Sequence, residues 1–295
     1  MENFLVSTRA AGPRLSDVTD TAAWIAGERA RESDRPDALF HDPYASALAG
    51  EIGRELAALT ERRMGASWSI AVRTRMIDEL IASSVADGCN CVINLAAGLD
   101  TRPYRLDLPS SLRWVEVDLP PLIERKQRIL HAETPNCQVI REAVDLADSA
   151  ARRRFLDQQR AHCTRALVLS EGLLHYLHEQ EVQILAADLS AYGFATWVFD
   201  LMSPATARKV RTSVGVEWER APIRFAPTQG VAFFEALGWQ VLHASSAIRT
   251  GASLRRLPPL LRLLSLFPDP NPRHFRKHTP WFGLVTLRKP TKSVT

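Results

Sequence analysis

One glycine and three acids stand where predicted strands end. Gly98 follows the apolar run CVINL within VINLAAGLDTRPYRL, and Asp118 comes 20 residues later, at the end of RWVEVD. Asp145 ends the stretch EAVD, and Glu171 follows ALVLS. Because the carboxyl ends of parallel strands meet at one edge of a sheet, we expect these groups to line a common crevice.

The spacing from Gly98 to Asp118 is typical of a nucleotide site, in which a glycine turn admits the cofactor and an acid binds both ribose hydroxyls. Asp145 with Leu146 suits an adenine amino group and an adenine face. The GxGxxG pattern that a dinucleotide pyrophosphate requires is absent. The crevice therefore favours a cofactor with a ribose, an adenine and a positive centre, and S-adenosylmethionine meets that description. Taken singly, the turn is also consistent with an ordinary strand-to-helix connection, and each acid with a helix cap.

The carboxylate of such a cofactor needs a cation, and the fork-shaped guanidinium of arginine binds a carboxylate through two donors. Arg73 lies in SIAVRTRMIDELI, a predicted helix just before the first strand, from which it can reach over the glycine turn. Arg75 in the same segment is the alternative. Either arginine could instead be exposed to solvent.

The elements that position these groups alternate between short apolar runs and longer helical segments from about residue 88 onward, the pattern of a parallel α/β sheet. The predicted strands are Cys91–Leu95, Arg113–Val117, Gln138–Arg141, Ala166–Ser170, Thr196–Asp200, Gln240–His243 and Phe282–Leu287. We expect a Rossmann-like core over residues 88–295. Helices from residues 1–87 would cap it, together with a helical lid inserted after the fifth strand at about 201–228.

The composition is that of a globular protein with a large core. The chain has 295 residues, of which 46% are hydrophobic and 24% charged, so it can bury one big domain or one domain with a cap. No apolar run approaches the roughly 20 residues of a membrane helix, and MENFLVSTRAAG is too polar for a signal peptide. We therefore expect a cytoplasmic protein without a membrane partner.

The four cysteines, Cys89, Cys91, Cys137 and Cys163, have the spacing of neither a zinc site nor a disulfide framework. We expect free cysteines that pack as small apolar residues, and no metal site.

The positive charge is concentrated in residues 249–280, where seven Arg and Lys accompany one acid, Asp269. A basic, apolar-striped segment of this kind can contact nucleic acid or a membrane surface, or it can cover one side of a pocket. Its prolines argue against one long amphipathic helix. Because no aromatic stacking pattern accompanies the charge, we do not expect nucleic acid as a partner.

Successive segments resemble the leucine carboxyl methyltransferase family, especially its bacterial branch of polyketide and natural-product O-methyltransferases. The resemblance covers roughly residues 17–200 and is most specific in GLDTRPYRL and the loop RPDALFHDPYA, with AVRTRMIDELI, WVEVDLP, VDL and SEGLLHYL also following the family's motifs. It implies a class I methyltransferase fold, with a seven-stranded, mostly parallel sheet whose last strand is antiparallel. One departure is Ala96, which stands where many members have glycine.

The resemblance also implies a role for each candidate in binding S-adenosylmethionine. Arg73 would hold the methionine carboxylate, and Gly98 would let the cofactor approach the backbone. Asp118 would bind the ribose, and Asp145 with Leu146 would bind the adenine. Glu171 would contact the methionine amino end near the sulfonium.

The acceptor decides whether a base is needed. A carboxylate, with a pKa of about 4, is ionised at pH 7 and needs none. A hydroxyl does, and His175 and Tyr176 are the nearest candidates. His41 and Tyr44, in the loop LFHDPYA, are candidates for a lid over the methyl group. The cap arginines that could hold an acidic acceptor are Arg9, Arg211 and Arg224.

These features predict an S-adenosylmethionine-dependent O-methyltransferase that acts on a carboxylate or hydroxyl of a small natural-product or polyketide-type intermediate. A protein C-terminal carboxylate is the alternative acceptor. From another class, an NAD(P)-dependent oxidoreductase is an alternative on the spacing from Gly98 to Asp118, although the missing glycines count against it. A non-enzymatic module that binds a nucleotide, or nucleic acid through residues 249–280, is the third. The oligomeric state is left open.

Overall fold

The computed structural model describes residues 18–65, 67–213 and 222–290. Three helices precede the first strand, namely α1 (Val18–Ser33), α2 (Ala45–Met64) and α3 (Ser67–Ala86). The strands are β1 (Cys91–Leu95), β2 (Arg113–Asp118), β3 (Gln138–Ala143), β4 (Ala166–Ser170), β5 (Thr196–Met202), β6 (Gln240–Ser246) and β7 (Phe282–Arg288). The later helices are α4 (Arg102–Arg105), α5 (Pro120–Ile129), α6 (Ser149–Arg160), α7 (Glu179–Ala191), α8 (Pro204–Ser213), α9 (Ala232–Ala236), α10 (Ala247–Ser253) and α11 (Pro259–Leu264).

The strands form one seven-stranded sheet in the order β3-β2-β1-β4-β5-β7-β6. β1 to β5 pair in parallel, and β7 lies antiparallel to both β5 and β6. The predicted fold class is thereby confirmed, with five of the strands extending slightly beyond their predicted ends. The strand order reverses between β1 and β4, and ligands of open α/β sheets bind in the crevice at such a reversal.

The core lies on both faces of the sheet, which explains why several strands read as continuous apolar runs. Ile93 and Val115 point to one face, whereas Val92 and Trp114 point to the other, where they pack against α3. This alternation follows from the two-residue period of a strand. Where a charged side chain lies within a strand it is paired, as Glu116 of β2 is with Lys126 and Arg141.

α1 and α2 pack backbone to backbone. A Cβ on Gly27 would lie 2.3 Å from the carbonyl oxygen of Gly53, and a Cβ on Gly53 would lie 2.3 Å from that of Ala23. Only glycine permits this approach at both positions. The pair places Ala22 over the glycine turn, where its Cβ is 3.4 Å from the position a Cβ on Gly98 would take.

One expectation meets a different outcome here. Cys91 and Cys163 form a disulfide, because the start of β1 and the loop before β4 lie side by side, while Cys89 and Cys137 are free. The expectation of free cysteines is corrected for the first pair. After β5 the expected lid begins with α8, and residues 214–221 of that insertion lie outside the described residues. No helix in the described parts of the chain is long and apolar enough to cross a membrane.

Candidate functional site

A cavity of about 1260 Å³ opens at the carboxyl edge of the sheet, beside the reversal between β1 and β4. Seven of the candidate site residues named from the sequence line it. They are Arg73, Gly98, Asp118, Glu171, His175, Tyr176 and Arg211.

The turn after β1 is built around Asp118. The N–H of Gly98 donates a hydrogen bond to one carboxylate oxygen at 2.6 Å, and the N–H of Leu119 donates to the other at 2.7 Å. Burial raises the pKa of Asp118 above its ordinary value, although these two N–H groups oppose the shift. Both Gly98, with φ +49°, and Ala96, with φ +55°, adopt the left-handed conformation that favours glycine. Ala96 therefore takes a glycine-like conformation where the family resemblance expects a glycine.

Arg73 reaches the cavity from α3 and lies between two carboxylates. Its Nη1 donates to Asp200 Oδ2 at 2.7 Å, and its Nε is 3.0 Å from Glu171 Oε1. Burial opposes the charge of Arg73, but Glu171 and Asp200 outweigh that effect and raise its pKa. The guanidinium is thus fixed in orientation and always charged. Arg75, the alternative, pairs with Glu79 at 2.7 Å and does not line the cavity.

Asp200 is a site residue that the sequence interpretation missed. It lies near the carboxyl end of β5 and accepts hydrogen bonds from Arg73, from the N–H of Gly172 at 2.7 Å and from His175 Nε2 at 3.2 Å. Burial alone would raise the pKa of Asp200, but Arg73 and His175 hold it well below its usual range. The rule that selected Asp118, an acid at the end of a parallel strand, applies equally to Asp200.

A second buried network connects the glycine turn to Glu171. Arg102 is 2% exposed. Its Nε donates to Asp78 at 2.7 Å, and its Nη1 donates to Asp100 at 2.7 Å and to Glu171 at 2.8 Å. Asn94 of β1 donates to Asp100 at 2.9 Å. The segment DTR of GLDTRPYRL therefore positions Glu171, which no spacing in the sequence indicated.

The loop LFHDPYA is attached to the same turn through Asp42. Its buried carboxylate accepts from Arg29 Nε at 2.8 Å and from Thr101 Oγ1 at 2.6 Å. A second nitrogen of Arg29 donates to the carbonyl of Leu99 at 2.6 Å. The two most specific motifs of the sequence are thus in direct contact.

The structure does not bring His41 and Tyr44 to the cavity, which corrects the expectation of a lid. His41 is exposed and lines a separate pocket of about 270 Å³. Tyr44 packs edge-on against Tyr104, with ring centroids 5.6 Å apart. Asp42 occupies the buried side of the loop, and its neighbours His41 and Tyr44 are not in the cavity lining.

Asp145 and Leu146 also lie outside the lining of the cavity formed by the described residues. Asp145 is exposed and accepts from the N–H of Ala147 at 2.9 Å. Leu146 packs on the core, and its carbonyl accepts from Arg152 at 2.6 Å. Both follow β3, next to the end of β2, so the adenine role stays a prediction.

Of the cap arginines, Arg211 lines the cavity and donates to the carbonyl of Ile223 at 2.8 Å. Arg224 is exposed and does not line it. Arg9 lies outside the described residues.

The two candidate bases differ. His175 is buried; its Nε2 faces Asp200, and its Nδ1 has no hydrogen-bond partner among the described residues. Burial raises the pKa of Tyr176 to about 12. Its phenol therefore stays protonated at neutral pH and cannot accept a proton there.

The cavity continues away from the sheet edge into a region that we call the outer arm. The outer arm is lined mainly by apolar side chains, namely Trp68, Ile70, Val210, Ile223, Leu260, Leu261, Leu264 and Phe267.

Comparison with known proteins places these features in context. The model of the family described as leucine carboxyl methyltransferase matches residues 22–190. A "putative S-adenosyl-L-methionine-dependent methyltransferase" of Mycolicibacterium smegmatis is 32% identical over 255 residues, which cover 77% of this chain and 84% of that protein. A protein of Streptomyces coelicolor with the same description is 37% identical over 182 residues, covering 58% of this chain and 64% of that protein's length.

Two solved structures share the fold. A DUF574 family protein from Streptomyces avermitilis has a TM-score of 0.58 at 16% identity, covering 90% of this chain and 97% of that one. A "putative methyltransferase" from Thermobifida fusca has a TM-score of 0.55 at 15% identity, covering 92% of this chain and 94% of that one.

Proposed function

Because the chain belongs to the leucine carboxyl methyltransferase family, we propose that it is an S-adenosylmethionine-dependent methyltransferase that esterifies the carboxylate of a small molecule. The observation that carries the proposal is the inner end of the cavity. There a glycine turn, a strand-end acid and a fixed arginine meet at the reversal of the strand order.

The residues present fit S-adenosylmethionine. Asp118, Glu171 and Asp200 line the inner end, and a nearby carboxylate favours a sulfonium, although Arg73 and Arg102 offset part of this negative charge. Gly98 provides close access to the backbone where a side chain would meet Ala22. Bound there, the cofactor supplies a methyl group on a positively charged sulfur.

The chain's own residues bind and orient. Asp118 is already held by the N–H groups of Gly98 and Leu119, so its remaining lone pairs are directed before the ribose hydroxyls arrive. Arg73 contacts two of the strand-end acids, Glu171 and Asp200, and is the residue to hold the methionine carboxylate. Arg102 keeps Glu171 in place.

A carboxylate acceptor suits this inner end because it requires no base. The acceptor's oxygen forms the new C–O bond while the C–S bond breaks, so the sulfur leaves as a neutral thioether and no proton has to be moved. The protein contributes by holding oxygen, carbon and sulfur in line and by excluding water. A hydroxyl acceptor would have to lose a proton, and His175 would be the base for it, since burial raises the pKa of Tyr176 to about 12 and disfavours that role.

The finer assignments belong to the same proposal. The acceptor is a small acidic intermediate of natural-product or polyketide type, and nucleic acid is not a partner. Location in the cytoplasm, the oligomeric state and the division into a cap over 1–87 and a core over 88–295 stay predictions.

Calorimetry with S-adenosylhomocysteine and NADH tests the proposal. We expect binding of S-adenosylhomocysteine alone. Asp118→Ala should weaken it about 100-fold, because two hydrogen bonds to a charged acceptor are lost at roughly 1.5 kcal/mol each. Asp157→Ala, which removes an exposed aspartate of α6, is the matched control and should change nothing.

Tight binding of NADH, or no binding of S-adenosylhomocysteine, would overturn the proposal. The bond between the transferred methyl group and the acceptor is tested on the labelled product, since an ester loses its methyl group in mild alkali. An alkali-stable product would refute carboxyl methylation.

A further inference from the structure

Large apolar side chains are exposed at one place above all in the described part of the chain. Leu260, Leu263, Leu264, Leu266 and Phe267 are 81%, 58%, 46%, 78% and 66% exposed. They follow one another on α11 and the turn after it. A contiguous exposed apolar patch on a folded protein marks a binding surface more often than chance.

This patch is held firmly at the rim of the cavity. Arg256, just before α11, pairs with Glu32 at 2.8 Å and with Asp37 at 2.7 Å, which ties the segment to α1 and the residues after it. Arg262 donates to the carbonyl of Leu257 at 3.1 Å. α11 itself contributes no buried residue, so its leucines are accessible to a ligand and are not part of the core.

The leucines of α11 and the turn after it divide into two groups. Leu260, Leu261 and Leu264 line the cavity, whereas Leu263 and Leu266 do not. The α8 residues Lys209, Val210 and Arg211 belong to the same lining. The outer arm is therefore a mainly apolar channel with α11 as one wall and two basic side chains on α8.

The cavity is polar at one end and apolar at the other. Arg73, Glu171 and Asp200 stand at the sheet edge, and the outer arm leads from there to the exposed leucines. Its volume of about 1260 Å³ exceeds the roughly 300–1,000 Å³ of most small-molecule pockets. Room thus exists for a second, elongated ligand beside the cofactor.

We propose that the acceptor is an amphiphilic acid with an extended aliphatic chain. Its carboxylate lies at the inner end, and its chain runs along the outer arm over Leu260, Leu261 and Leu264. The inference rests on the proposed function and names its substrate class. Methyl transfer to the carboxylate removes its charge, with the C–O bond formed as the C–S bond breaks.

The test is a series of straight-chain saturated acids, from butanoate to tetradecanoate, titrated by calorimetry into protein saturated with S-adenosylhomocysteine. Each methylene that enters the outer arm should tighten binding about fourfold until the arm is filled. Labelled methyl transfer to the same acids should show KM falling in parallel.

Two neighbouring leucines give a matched pair of variants. Leu264→Asp puts a charge into the outer arm and should abolish the dependence on chain length. Leu263→Asp puts the same charge on the other side of α11 and should leave that dependence intact. Both side chains are exposed, so both variants should fold, and S-adenosylhomocysteine should bind each within about twofold of wild type.

Affinity that does not depend on chain length would overturn the inference, and so would equal losses in the two variants. Equal losses together with sedimentation of the protein on phosphatidylglycerol vesicles would identify a membrane-docking surface instead. If S-adenosylhomocysteine binds but the acids do not, only this inference fails. If S-adenosylhomocysteine does not bind, the proposed function fails with it.

Discussion

The two ends of the cavity are built in opposite ways. At the inner end, charged side chains are buried and paired with one another, as Arg102 is with Asp78, Asp100 and Glu171. Along the outer arm, the leucines of α11 are exposed and pack into no core. The charged side chains of the inner end therefore hold one another in place, whereas the outer arm is completed only when something apolar covers it.

The contrast indicates what each end is for. Buried ion pairs add little net stability, since desolvation offsets their attraction, but they fix side chains in one geometry. A cofactor site needs that fixed geometry, because the methyl group has to be presented at one angle and distance. An acceptor site gains from an open apolar wall that accepts chains of different length.

The largest effect is expected from a substitution at the inner end. Arg102→Met removes a buried cation that three carboxylates share and leaves Asp100 without its salt bridge, and we expect the free energy of unfolding to fall by about 3–5 kcal/mol. Urea denaturation measures it. Leu264→Asp, in the outer arm, should stay within about 0.5 kcal/mol of wild type. Similar losses in the two variants would show that the two ends do not differ in the way described.

The dependence of the free energy of unfolding on pH compares two buried acids. Asp200 is paired with an arginine, whereas the nearest arginine to Glu28 is more distant. The pKa of Asp200 is held low by Arg73 and His175. Glu28 accepts from Trp24 and Ser67, but the nearest arginine nitrogen, Arg31 Nε, is 3.9 Å away. Burial therefore raises the pKa of Glu28 to about 7.

The sign of the effect follows from proton binding. Between pH 4.5, the ordinary pKa, and about 7, folded Glu28 keeps its proton while the unfolded chain releases it. The free energy of unfolding should therefore be highest below pH 4.5 and fall as the pH rises through 7. The fall should be about 3 kcal/mol larger than in Glu28→Gln. Urea denaturation at pH 5 and pH 8 checks this. Glu79→Gln, at an exposed glutamate of α3, is the control, and a Glu28→Gln curve parallel to wild type would contradict the prediction.

A smaller effect is expected at the turn of the inner end. Ala96→Gly relieves a left-handed conformation that costs an alanine roughly 1–2 kcal/mol, while the glycine loses more entropy on folding. We expect the free energy of unfolding, measured by thermal denaturation, to rise by roughly 0.5–1 kcal/mol. Ala97→Gly, at a neighbour that does not have a positive φ, should destabilise instead. A loss at both positions would contradict the strain at Ala96.

The smallest effect is expected at Tyr176. Because its pKa is about 12, the phenol does not titrate between pH 6 and pH 9. Tyr176→Phe should therefore leave the pH profile of methyl transfer unchanged over that range. Loss of a basic limb in the variant would assign Tyr176 a proton-transfer role.

The strands and the cofactor edge could be predicted from the sequence. Buried parallel strands are continuous apolar runs, and an acid after such a run lies at the carboxyl edge by geometry alone, which located Asp118 and Glu171. The same geometry would have located Asp200.

The partners of these residues could not be predicted from spacing. Arg102 pairs with Glu171 across 69 residues, and Arg73 pairs with Asp200 across 127, so only the folded chain brings them together. His41 was misplaced for a related reason. Nothing in LFHDPYA indicates that Asp42 is the residue which turns inward to meet Arg29.

The most direct test of the central claim is a crystal structure of the protein with S-adenosylhomocysteine and a long-chain acid. We predict ribose hydroxyls within hydrogen-bond distance of Asp118, the sulfur facing Glu171, and the aliphatic chain along Leu260 and Leu264. Density for the nucleoside away from the sheet edge, or a chain that avoids the outer arm, would contradict the division of the cavity into a donor end and an acceptor end.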